Sequence, residues 1–170
     1  MAFAAVVSVM SALSACGSGS HIETHTPSVT PSESAPGGHT PNPVDLSLLQ
    51  SNREKWAASE VADYQFGFSM TCFCPQTNQP ATILVRDNHL VSVSDSSGTP
   101  LTTGYLLDTS KPYSTADRIF AEIENLLSSA DQVTVVYAGN GFPTRIAADP
   151  IEDAVDDEFT VTISDFRALQ

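Results

Sequence analysis

Basic residues are scarce in this chain. Seven Lys and Arg face twenty Asp and Glu, for a formal net charge of −13. Neutralising phosphates needs clustered cations, so nucleic-acid binding is excluded as a function class. Charge-driven adhesion to anionic lipid is excluded by the same sign argument. Cysteine is scarce too, and three are too few for a disulfide scaffold. No run reaches the roughly 18 apolar residues that a membrane-spanning helix needs. Chemical motifs are also missing: no G-x-S-x-G elbow, no H-E-x-x-H and no Walker loop. Gly139-Asn140-Gly141 lacks the remaining glycine of a dinucleotide loop. What is present suffices for a core, because 41% of the 170 residues are hydrophobic. That length suits one domain plus a tail.

The tail comes first. Residues 2–13, AFAAVVSVMSAL, form an uncharged apolar run of signal-peptide length. Leu13-Ser14-Ala15-Cys16 follows at once and resembles the lipobox of bacterial lipoproteins. The resemblance implies a signal peptide over 1–15, cleavage before Cys16, and a lipid on that cysteine. One departure is the absence of Lys or Arg ahead of the apolar run, since only Met1 precedes Ala2. Two or more acyl chains hold a protein stably on a bilayer, each buried methylene contributing about 0.8 kcal/mol. The expected location is the extracytoplasmic side of the cell membrane, with the membrane itself as a partner through Cys16.

Residues 17–43 carry Gly, Ser, Thr or Pro at 18 of 27 positions. They have no helical or strand period and little to bury, so 16–43 reads as the lipidated cysteine and a disordered stalk. As a flexible coil the stalk would span roughly 30 Å, and as an extended chain about 80 Å. His21, His25 and His39 lie on it, but their spacing pre-organises no metal site.

Residues 44–170 read as a single α+β domain. A helix is expected over 45–58 with Asp45 as N-cap, or later from a Ser51–Glu54 capping box. Tyr64, Phe66, Phe68, Met70, Cys72 and Cys74 occupy every second position, with Gln65, Gly67, Ser69 and Thr71 between them, which predicts a strand that points all six at the core until Pro75 stops it. Strands follow at 81–86 and 89–94, joined by a tight Asp87-Asn88 turn. Gly98, Pro100, Gly104 and Pro112 mark 96–113 as loop. A helix over 115–129, capped by Ser114, carries the stripe Ala116, Ile119, Phe120, Ile123, Leu126 and Leu127. Strands at 132–137, 144–148 and 159–164 complete the chain. The order is helix, three strands, helix, three strands, with the helices on one face of an antiparallel sheet. It also suggests a diverged duplication. Beta-lactamase-inhibitor-like and PepSY-type domains are comparable in architecture alone.

Several pieces resemble, in order, an uncharacterised family of bacterial secreted proteins and lipoproteins. They are Asn52-Arg53 with Trp56, Asp63-Tyr64 with Phe66, Cys72-Phe73-Cys74-Pro75, Gly141-Phe142-Pro143-Thr144 with Ile146, and Asp156-Asp157-Glu158. The resemblance spans 50–166 and implies no activity. Asp87-Asn88-His89 departs from it, since a glycine turn is expected there.

Cys72 and Cys74 form the first candidate site. Residues two apart in a flat strand have Cα atoms about 6.5–7 Å apart, near the upper limit for a disulfide. A bridge therefore requires the strand end to bend. The alternatives are free thiols, a redox pair, or soft-metal handling, for which partners are lacking. The second candidate is the acidic loop with Asp149, Glu152, Asp153, Asp156, Asp157 and Glu158. Clustered carboxylates suit calcium as a cofactor, although EF-hand spacing is absent; the plainer reading is a solvated loop that discourages edge pairing. His89 with Asp87 sits at a hairpin tip, a poor place for catalysis, and no catalytic residue is assigned. The expectation is a non-catalytic binding or inhibitory module of the cell envelope, whose partner is an envelope protein or a small ligand. Redox or metal handling through Cys72 and Cys74, and a calcium response of the acidic loop, are the rivals.

Overall fold

Pro43 has the fixed φ that suits a first helical position, and the Asn42 carbonyl accepts from the amides of Asp45 and Leu46. Helix α1 therefore runs Pro43–Ala58, which places Asp45 in its first turn rather than at the cap. The computed structural model describes residues 42–74, 79–109 and 111–170; the leader, Cys16, the stalk histidines and Pro75 lie outside them. Leu49, Asn52 and Trp56 form the buried face of α1, and Leu46 is on its exposed side. Arg53 sits at the rim, where its guanidinium pairs with Glu124 at 3.0 Å and lies over the Phe120 ring.

Six strands follow the expected order: β1 Tyr64–Cys72, β2 Ala81–Arg86, β3 His89–Asp95, then β4 Gln132–Tyr137, β5 Pro143–Asp149 and β6 Phe159–Ala168. The second helix, α2, is Ala116–Ser129, preceded by a short 3-10 turn at Tyr105–Leu107. The strands form one antiparallel sheet in the order β3-β2-β1-β6-β5-β4. Its inner face carries Tyr64, Phe66, Ile83, Val85, Val93, Ile146 and Val161, packed with both helices into one core. The fold is α+β, with helices on one face. Sliding one half along the sheet matches the strand order but opposes every strand direction, so the sheet holds no internal repeat.

Three local differences from the sequence expectation have clear causes. β1 ends at Cys72, because the Cys72 and Cys74 Cα atoms are 5.2 Å apart, too close for extended chain. Cys72 and Cys74 are thus half-buried at the strand end and not core residues. β6 continues four residues past Ser164, although its alternation breaks there. Gln65 pairs with Arg167 and Gly67 with Ser164, so β6 carries an extra residue, with Asp165 in the left-handed region. The bulge returns Phe166 to the core side, where its ring centroid lies 4.7 Å from that of Phe142. Thr115 and not Ser114 caps α2, its side chain accepting from the Arg118 amide.

The Asp87-Asn88 turn has φ of 48° and 59°, the doubly positive form that tight hairpins favour. Asp63 braces it without any glycine: its carboxylate accepts from the Asp87 amide at 2.7 Å and from Arg86 at 2.8 Å. Those bonds hold the Asp63 carboxyl below the usual carboxylate range. Among the described residues, no helix is long and apolar enough to cross a membrane.

Candidate functional site

The antiparallel ladder brings the two candidate sites to one end of the sheet. Cys72 pairs with Phe159, the residue that follows Asp156-Asp157-Glu158. The Cys72 and Cys74 sulfurs are at disulfide distance, within a Cα separation that bridges commonly adopt. Phe73, between them, is 81% exposed. The pair sits at the end of β1, with the Phe73 side chain between the two cysteines turned outward.

The acidic loop links β5 to β6. The Asp131 carboxylate accepts from the Glu152 amide, and the Asp131 amide donates to the Pro150 carbonyl, so the loop is tied to the end of α2. Glu152, Asp153, Asp156 and Glu158 are exposed. Asp149 and Asp157 are turned inward, and one oxygen of the first and both of the second are buried with no hydrogen-bond partner. Desolvation raises the Asp149 pKa, and the charges of Asp157, Glu158 and Asp131 raise it further. Of the six acids the sequence offered, two are thus turned inward. Among the described residues, no group of three or more His, Cys, Asp or Glu is placed to hold a metal. His89 is exposed, its Nδ1 within hydrogen-bond distance of the Asp87 carbonyl.

Several of the residues that carry the sequence resemblance hold the fold together. Asn52 is 3% exposed, and its amide donates to the Leu48 carbonyl. Trp56 packs edge-on to Tyr64 and against Phe142. The Tyr64 phenolic oxygen accepts from the Ala116 amide at 2.7 Å, satisfying one of the unpaired donors at the start of α2. Burial pushes its pKa up to about 12. Gly141 has φ of 87°, and a β-carbon there would lie 2.9 Å from both Lys55 Cβ and the Trp56 amide nitrogen.

A model of a family of unknown function, DUF6174, matches residues 48–168. The chain belongs to that family. No curated protein matches it. The DUF6174 region begins inside α1 and ends with β6, so it takes in the whole sheet and both candidate sites.

One set of site residues escaped the sequence reading. The 96–113 loop carries Leu101, Tyr105, Leu106 and Leu107, which line a cavity against β1 and β2. Four large apolar residues in a Gly- and Pro-punctuated loop were the available signal. Their spacing fits neither a helix nor a strand, so periodicity could not register them.

Proposed function

We propose that this DUF6174 protein is a bacterial lipoprotein. In this reading the chain is exported, cut before Cys16 and lipidated there. The 17–43 stalk then holds the domain outside the membrane as a non-catalytic binding or inhibitory module of the cell envelope. The observation that carries the proposal is Leu13-Ser14-Ala15-Cys16 placed directly after an uncharged apolar run and before a Gly/Ser/Thr/Pro tract. The Cys72–Cys74 pair at disulfide distance fits an oxidising compartment. The structural duties of Asn52, Trp56, Tyr64 and Gly141 support a scaffold that presents a surface.

Fractionation tests the anchor. Wild-type chain is expected with membranes, carrying an acyl mass on Cys16, whereas Cys16→Ser is expected as unprocessed or released protein. A mutant that still partitions like wild type would remove the basis for the proposal. Pull-down from an envelope extract with the mature chain tests the binding role.

A calcium response is favoured by one observation, the buried and unpartnered oxygens of Asp149 and Asp157. A bound cation would supply what those oxygens lack. Millimolar calcium should then raise the melting temperature of wild type and not of Asp157→Asn, and an unshifted wild type dismisses this second reading.

A further inference from the structure

α1 and α2 pack over the β1, β6, β5 and β4 part of the inner face. The β2–β3 wing is covered instead by the segment made of residues 96–109 and 111–113. That segment is stitched on by the Leu101 amide, which donates to the Val93 carbonyl, by a bridge between Ser94 and Pro100, and by Tyr113, whose ring lies 5.4 Å from that of Phe68. Beneath it is a cavity of about 340 Å³, within the size range of small-molecule sites.

The sequence explains why space remains. The inward positions of β2 are Ala81, Ile83 and Val85, and the smallest of them lies under the segment. Ala81 pairs with Phe68 across the β1–β2 ladder, and together they make the floor. Leu101, Tyr105, Leu106 and Leu107 make the wall, with Leu101 left 37% exposed. Gln79 and Thr103 add hydrogen-bonding groups. Among the described residues, the one charged lining residue is Asp95. Its carboxylate accepts from Ser97 Oγ and from the Thr99 and Ser97 amides, which lower its pKa and keep it ionised. Burial raises the Tyr105 pKa, so the phenol stays neutral.

We infer that this cavity binds a small apolar molecule that carries no negative charge, of the size of a medium-chain alcohol. An anionic head would enter beside the Asp95 carboxylate in a chain of net charge −13; none of the described lining residues is a cation, and the Lys111 ammonium nearby already lies over the Tyr105 ring, 5.9 Å from its centroid. The inference deepens the reading of a binding domain and names its ligand class. It does not depend on the lipid at Cys16.

Amide NMR of the full-length chain, expressed without its lipid, tests it with octanol and octanoate as probes at neutral pH. Octanol should give saturable shifts confined to the amides of 79, 81 and 101–107, and octanoate should bind at least about tenfold more weakly. Ala81→Leu, which fills the floor, should abolish the octanol shifts. Thr103→Trp fills the cavity from an exposed position and serves if Ala81→Leu does not fold. The inference is overturned if octanol gives no saturable shifts at those amides, if octanoate binds as tightly, or if a folded filling variant keeps wild-type affinity. None of these results bears on the Cys16 fractionation, so cavity and anchor stand or fall separately.

Discussion

Tyr64 does two things that a phenylalanine could do only in part. Its ring joins the cluster of Trp56, Phe66 and Phe142, and its hydroxyl accepts the Ala116 amide. Tyr64→Phe keeps the first and leaves a buried donor unpaired. It should destabilise the domain by about 1–3 kcal/mol, measured by denaturant unfolding with an unchanged slope. Two aspartates respond to pH in opposite senses. The folded-state pKa of Asp149 is raised, so its contribution to stability is complete below the unfolded value and is lost as pH rises through the folded one. Asp149→Asn should therefore raise the melting temperature at pH 7, with the gain vanishing in acid. The pKa of Asp63 is lowered, so its contribution is present above the unfolded value and is lost as pH falls through the folded one. Asp63→Ala should lower the melting temperature at pH 7 and converge on wild type in strong acid. Melting curves across pH check both signs.

At the scale of elements, the β4–β5 turn is held by the backbone of α1. Gly141 lies in the left-handed region against Lys55 and Trp56. Gly141→Ala adds about 1–3 kcal/mol of conformational strain and a collision with α1 that can be relieved only by moving the helix. Calorimetry should show a loss larger than that of Tyr64→Phe. Cys72 and Cys74 lie at disulfide distance at the end of β1. Intact mass with and without reductant should differ by a pair of hydrogens, and alkylatable thiols in exported chain would refute the bridge. Element boundaries were legible wherever the chemistry is local. β2 matches its expected range, and so does β4, while α2 begins one residue later than expected, because alternation and the i, i+3, i+4 stripe are short-range patterns. The continuation of β6 was not legible, since the bulge at Asp165 shifts the phase of the strand and depends on pairing with β1, about a hundred residues away in sequence.

For the whole molecule, a net charge of −13 means that compaction works against self-repulsion. The described ion pairs, Arg53–Glu124 and Arg86–Asp63, are partly exposed, a setting in which such pairs contribute little. Sodium chloride should therefore raise the melting temperature as screening shortens the reach of like charges, and a fall with salt would show that the two pairs outweigh the net charge. By itself, the sequence determined the α+β class, the helix and strand order, the tight Asp87-Asn88 turn and the resemblance to an uncharacterised family, because these follow from period, turn chemistry and short motifs. Only the tertiary structure decided the sheet order, the meeting of Cys72 with the acidic loop, the capping of α2 by Tyr64, the contact of Gly141 with α1 and the cavity under 96–113. Each of those needs residues far apart in the chain to be neighbours, and long-range pairing leaves no period for a linear reading to find.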